Sequence, residues 1–343
     1  MILPLLLAAA AAGAAPRPSP LKLFKDWTVG CDNVRACQAV ALLHDPAEDN
    51  GLTMSVARGG APQAPVRIVV GAERSAPDEK TGIVALAVDG KRLPARLTEV
   101  EGGALVDAGG TGALLAALRT GTKLEALGAG GTSLGTISLA GASAALLYMD
   151  DRQQRAGTVT ALARPGPKPA STLPPPPSPP AVLVPPVTSK PPRRMPLSVA
   201  VALRKKACDS GEKDDGAPAE TFRLDATHSL AIIPDHCDSG AYNQASLVYL
   251  AGDSGGWQPA LFDTDQGKTD EGGPRAVQYN VDWNAKDGLL EMFMKGRGLG
   301  DCGTRQSYAW DGVRFRLTSQ AEMGECRGSL DWIPTWQARV VRR

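Results

Sequence analysis

Gly252-Asp253-Ser254-Gly255-Gly256 has the letter pattern of a catalytic serine, and His236-Cys237 has that of its histidine. The chemistry would be acyl transfer. Ser254 would attack a carbonyl, His236 would take the hydroxyl proton, and a carboxylate and backbone N–H groups would complete the site. In two-barrel hydrolases of this kind the two residues come from separate barrels, far apart in sequence. Here eighteen residues separate them, so Gly252–Gly256 is expected to be a hairpin turn. Gly298-x-Gly300-x-x-Gly303 matches a dinucleotide fingerprint by letter, but that site needs a strand before it and a helix N-terminus after it. Cys302 interrupts the run and a hairpin follows, which predicts a glycine-rich disulfide loop. Lys295, Arg297 and Arg305 flank the loop and, with its exposed backbone N–H groups, could receive an anionic ligand. Asp263-x-Asp265-x-Gly267, with Asp270 and Glu271, suggests calcium. However, Lys268 and Pro274 stand where an EF-hand loop needs Gly and Glu, so an acidic surface loop is expected.

Trp257, Trp283, Trp310, Trp332 and Trp336 offer rings for stacking. Strand alternation assigns Trp283 and Trp310 to a core, whereas Trp332 and Trp336, flanking Pro334, are expected at the surface. Arg297, Arg305, Trp332 and Trp336 therefore make the expected ligand surface. His44 and His228 have no partner legible in the sequence. The six cysteines divide as two early (Cys31, Cys37) and four late (Cys208, Cys237, Cys302, Cys326). Even counts favour disulfides. Cys31 and Cys37 should close a small loop; nearness favours Cys208–Cys237 and Cys302–Cys326, with two other connectivities open. No Cys-x-x-Cys is present and no spacing suits zinc. No metal, cofactor or catalytic set is expected.

These residues need elements to hold them. Val66–Val70 and Ile83–Val88 read as strands, with Asp89-Gly90 turning the chain before Lys91–Leu97. Helices are expected over Gly112–Thr120, Ala140–Arg155 and Leu197–Cys208. Ala276–Trp283 alternates as one half-buried strand, with Val277, Tyr279, Val281 and Trp283 facing one way. Asp287-Gly288 precedes another strand, Leu289–Met294. Asp311-Gly312 predicts a two-residue hairpin loop pairing Trp310 with Val313 and Tyr308 with Phe315. Residues 165–196 hold fourteen of the 28 prolines, so this stretch should be polyproline II, with Pro165 to Pro192 reaching roughly 90 Å at about 3.1 Å per residue. The flanks differ: residues 22–164 hold three aromatics and 197–343 hold thirteen, which argues against a recent duplication. The expected fold is α+β, mostly antiparallel β, with β-rich domains at 22–160 and 197–343 joined by a linker at 161–196.

The 343 residues carry 37 Lys and Arg against 36 Asp and Glu, so no global field marks a nucleic-acid binder. Beyond the extreme N-terminus no apolar run is long enough to span a bilayer. Residues 1–14 read as a signal peptide, which implies a periplasmic or secreted protein.

Phe24-x-Asp26-Trp27, Cys31-Asp32-Asn33 and Cys37-Gln38, with Ser138-Leu139-Ala140-Gly141 before an Ala-rich helix, resemble the invasion-associated locus B type of secreted bacterial domain. The whole chain is similar to the bacterial domain-of-unknown-function 1176 family. That resemblance rests on Gly296-Arg297-Gly298-Leu299-Gly300-Asp301-Cys302-Gly303, Trp310-Asp311-Gly312 and Cys326-Arg327-Gly328. It implies an exported Gram-negative envelope protein and supplies no catalytic residues. The expected function is a non-catalytic binding or envelope-associated role, with an unidentified protein or envelope component as partner. Rival readings are a small hydrolase using Ser254 and His236, and a proteinaceous inhibitor or envelope-stress protein.

Overall fold

The computed structural model describes residues 15–44, 51–72, 80–186, 188–207, 216–264 and 276–343. The segment read as a signal peptide, Cys208, and the acidic run from Asp265 to Glu271 lie outside the described residues. The fold is mostly antiparallel β with three helices. β1 (Lys22–Phe24), β2 (Trp27–Cys31), β3 (Cys37–Ala41), β4 (Leu52–Arg58) and β5 (Val66–Ala72) form a meander. The chain then makes the β6 (Ala85–Val88) and β7 (Lys91–Arg92) hairpin, with Asp89 and Gly90 both at positive φ as the expected turn requires. It returns through β8 (Leu97–Val100) and β9 (Gly103–Val106), which closes a seven-stranded sheet against β5.

Helix α1 (Ala108–Thr120) begins a turn before the apolar pattern suggests, because the Asp107 carboxylate accepts the Gly110 N–H at 2.9 Å. It buries the expected Leu114, Leu115 and Leu118. After β10 (Lys123–Leu127) and β11 (Ser133–Ser138), α2 (Ala142–Arg152) starts at Gly141. Gly141 has φ 102°, and a Cβ there would lie 1.7 Å from the Phe24 carbonyl oxygen, so only glycine fits. α2 stops at Gln153 rather than Arg155. The buried Gln153 amide turns away to bond the carbonyls of Arg35 and Arg58 at 2.8 and 3.0 Å. Nearby, buried Asp150 accepts the N–H groups of Leu162 and Ala163 and faces Arg58 at 3.3 Å.

The Pro-rich stretch is attached to the fold. Its β12 (Ala181–Val184) pairs in parallel with the C-terminal residues Arg339–Arg342. Further on, Lys190 bonds Asp253, Arg223 donates to the Pro191 carbonyl, and the Arg193 N–H reaches Ser229 Oγ at 2.9 Å. Proline removes only its own donor, so the Ala-Val-Leu-Val run among the prolines can still form a ladder. α3 (Leu197–Ala207) follows, as expected.

The second half is a sandwich. One sheet holds β13 (Glu220–Arg223), β14 (His228–Asp235), β15 (Ala245–Gly252), β16 (Gln258–Pro259) and β17 (Val277–Tyr279). The other holds β18 (Asp282–Asn284), β19 (Leu289–Lys295), β20 (Gly303–Trp310), β21 (Phe315–Met323) and β22 (Ile333–Gln337); β23 (Arg339–Arg342) leaves to meet β12. Leu230, Ile232 and Val248 of the first sheet meet Leu290, Tyr308 and Phe315 of the second. α3 covers the outer face of the first sheet through Ala200.

Two sequence expectations need correction here. Residues 276–283 are two strands in different sheets, not one strand, and it is Gln278 that is buried. The hairpin loop is four residues long: Trp310 pairs with Phe315 and Tyr308 with Leu317. The Asp311 carboxylate accepts the N–H groups of Val313 and Arg314, each at 2.8 Å, which holds both residues in the turn.

Candidate ligand-binding surface

The glycine-rich segment between β19 and β20 is a tight loop closed by the Cys302–Cys326 disulfide. Its N–H groups turn inward: Gly296 donates to the Cys302 carbonyl at 2.8 Å and Gly300 to that of Arg297 at 3.0 Å. A Cβ on Gly296 would meet Cys302 Sγ at 2.6 Å, so glycine there admits the disulfide. Asp301 is fully buried inside the loop. Burial pushes its pKa up, but the Arg297 guanidinium and the Gly328 N–H hold it below the usual carboxylate value. Arg297 forms a two-pronged ion pair with it, Nε to Oδ1 at 2.7 Å. Arg297 is thereby engaged in shaping the loop.

Arg305 differs. Its register partner across the β19–β20 ladder is Phe293, which sets the two side chains next to each other on one face. The guanidinium carbon lies 4.5 Å from the Phe293 ring centre and 4.4 Å from that of Trp332. The two rings meet edge to face at 5.2 Å. Partial burial lowers the Arg305 pKa, yet guanidinium remains cationic at any ordinary pH. Among the described residues Arg305 has no hydrogen bond and no carboxylate partner. Lys295 Nζ lies 5.5 Å from the centre of the Phe293 ring. Trp332 Nε1 is buried without a hydrogen-bond partner. Beside this platform Leu299 is exposed.

Of the four expected surface residues, Arg305 and Trp332 are brought together, and Arg297 is paired with Asp301 in the adjoining loop. Trp336 is elsewhere: it packs against the core of the sandwich and donates to the Leu317 carbonyl. Sequence reading missed Phe293, because in Leu289–Met294 nothing distinguishes an outward aromatic from a core one. Trp310 is buried and Trp283 half-buried at the core, as alternation predicts.

The other constellations are not assembled by the fold. Gly252–Gly256 is the expected turn, between β15 and β16. In the β14–β15 ladder His228 faces Gly252 at one end and Asp235 faces Ala245 at the other. Ser254 and His236 thus lie beyond opposite ends of a hairpin about 24 Å long. Asp263 accepts the Leu317 N–H at 2.9 Å and faces Arg316. No group of three metal-ligating side chains occurs among the described residues. No helix among them is long and apolar enough to cross a membrane. Cys31 pairs with Cys37 and Cys302 with Cys326, as nearness suggests.

The short N-terminal and C-terminal motifs meet each other. Arg327 donates to Asp26 Oδ1 and to the Leu43 carbonyl, each at 2.7 Å, while the Leu43 N–H donates to the Arg327 carbonyl at 3.0 Å. Burial pushes the Asp26 pKa up, but hydrogen bonds led by Arg327 bring it below the usual value. Asn33 and Gln337 exchange hydrogen bonds of 2.9 and 2.8 Å, and Gln337 also bonds Asp32. Val40, Leu42, Met323, Ile333 and the Cys302 sulfur form one apolar cluster across this contact.

Residues 21–339 match the family described as protein of unknown function DUF1176. The uncharacterized protein YpfG of Escherichia coli K12 is 29% identical over 346 residues, a span of 93% of this chain and 93% of that protein. No solved structure matches.

Proposed function

The chain belongs to the DUF1176 family of proteins of unknown function, and from that premise we propose that it is an exported, non-catalytic binding protein of the bacterial envelope. The surface it would use is the Phe293–Arg305–Trp332 platform, and the ligand groups it would take are anionic. One observation carries this reading: a permanently charged guanidinium is packed against two rings with no anion of its own among the described residues. Stacking fixes the side chain in advance, so little rotamer entropy is lost when a carboxylate or phosphate meets its donors. Arg297 and Asp301 keep the adjoining loop rigid. Two disulfides support an oxidising compartment, as does the apolar run at residues 2–12. In this reading residues 22–160 and 197–343 are two units tied by residues 161–196.

The test is site-specific photocrosslinking in the native envelope. A benzophenone amino acid at Leu299, exposed beside the platform, is compared with one at Val159, exposed in the first half. A discrete adduct is expected from position 299 only, and Arg305→Ala should abolish it. An adduct indifferent to Arg305→Ala, or none above that from position 159, removes the reading.

A further inference from the structure

A cavity of about 360 Å³ lies between the Pro-rich stretch and one end of the sandwich, far from the Gly296–Gly303 loop in the strand register. That volume falls within the range of small-molecule pockets. Its wall is aromatic: Phe222 and Trp283, with ring centres 6.3 Å apart, and Trp310. The opposite wall is apolar chain from the Pro-rich stretch, including Pro185 and Pro192.

Both walls are fixed before any ligand arrives. Trp310 is anchored because its Nε1 donates to Asp225 at 2.7 Å, and Asp225 is itself held by two backbone N–H groups. The Pro-rich wall is pinned on either side of the cavity. β12 lies on one side, and on the other are Lys190 with Asp253 and Arg223 with the Pro191 carbonyl. Preformed apolar space of this kind does not have to be opened when a ligand enters.

The polar groups in the wall differ in what they have left to give. Arg223 spends three of its donors on the Pro191 carbonyl and Asp253, and its charge is paired with Asp253. The Asp287 carboxylate accepts from Asn284 Nδ2 at 2.9 Å. Arg342 uses one Nη2 donor on the Asp287 carbonyl at 2.8 Å and has no carboxylate partner among the described residues. Its remaining donors are the free cationic group of the cavity.

We infer that this cavity binds a small molecule with a flat apolar ring body and a single carboxylate. The ring would lie against Phe222 and Trp283, and the carboxylate would meet Arg342. The inference stands independently of the platform on β19 and β20, since no residue is shared.

The experiment is titration of the full chain with 2-naphthoate and with its neutral amide, followed by calorimetry and by tryptophan fluorescence. Saturable naphthoate binding is expected, weakened roughly tenfold in the amide, as for loss of one charge-assisted contact. Arg342→Gln should bring the acid down to the amide and leave the amide unchanged. Trp283→Ala should weaken both, and Arg342→Gln serves alone if that variant fails to fold. Arg305→Ala should change neither, so a failure of the platform reading leaves this result intact. No saturable binding up to about 5 mM, equal binding of acid and amide, or insensitivity to Arg342→Gln overturns the inference.

Discussion

Asp225 is buried between β13 and β14 and accepts hydrogen bonds from Trp310 Nε1 at 2.7 Å and from the N–H groups of Thr227 and His228 at 2.8 Å. Burial pushes its pKa up, but these donors prevail and hold it at about 2, against an ordinary 3.8. A carboxyl with a depressed folded pKa stabilises the protein fully above the unfolded value and loses that contribution as pH falls through the folded one. The urea midpoint should therefore fall between about pH 4 and pH 2, and Asp225→Asn should flatten that decline. At pH 7 the same variant should be less stable by about 1–3 kcal/mol, because Trp310 and two N–H groups lose their charged acceptor. An unchanged acid limb in Asp225→Asn would assign the pH dependence to other carboxylates. In the sequence Trp310 stands out by its type, but Asp225 is one acid among many and lies 85 positions away. The same holds for Arg305: its charge was legible beside the glycine loop, while its packing against Phe293 and Trp332 depends on a ladder register that no spacing reveals.

Elements were most legible where a local turn or an apolar stripe decides the outcome. Asp89-Gly90, Asp287-Gly288 and the Leu114–Leu118 stripe fall where sequence patterns place them, because each depends on neighbours within a few residues. The run 276–283 was not legible, because its break depends on a tertiary contact. Asn280 adopts φ 45°, and its side-chain amide donates to the Phe293 carbonyl at 2.7 Å and to Asn243 Oδ1 at 2.9 Å. The corner passes the chain from β17 in one sheet to β18 in the other, which reverses the face that alternation assigns to residues 277–279. Asn tolerates this left-handed conformation and supplies the bonds, whereas Ala offers neither. Asn280→Ala should cost about 2 kcal/mol by chemical denaturation, and Asn280→Gly should cost less, since it relieves the backbone but still lacks the hydrogen bonds. Equal losses in the two variants would mean that the φ angle contributes nothing and the bonds carry the whole effect.

At the scale of the molecule, short motifs from the two ends of the chain meet each other. Asp26 follows Phe24 in the first strand hairpin and Arg327 follows Cys326 after the second disulfide, yet they form one ion pair 301 residues apart. Asp32 and Asn33, beside the first disulfide, hold Gln337 on β22. Sequence reading could see these residues as motifs but not as two sides of one contact, since each side is a loop whose partner lies at the other end of the chain. The division into two β-rich domains rests on composition, which records the Pro-rich stretch and not the apolar cluster of Val40, Leu42, Met323 and Ile333. With that cluster, the Arg327 bonds and the β12–β23 ladder, separate melting of the halves would expose apolar surface that is now buried. Calorimetry of the full chain should show one cooperative transition. Arg327→Ala removes the ion pair to Asp26 and the side-chain bond to the Leu43 carbonyl, and leaves the buried Asp26 carboxylate without its main partner. It should lower stability by about 2–3 kcal/mol and broaden or split the transition. Lowering the pH should produce part of the same effect in the unmutated protein, because protonating Asp26 weakens the ion pair from the other side and its depressed pKa places that loss in the acid range. A single transition whose midpoint Arg327→Ala leaves in place would show that the apolar cluster couples the halves without help from the motifs.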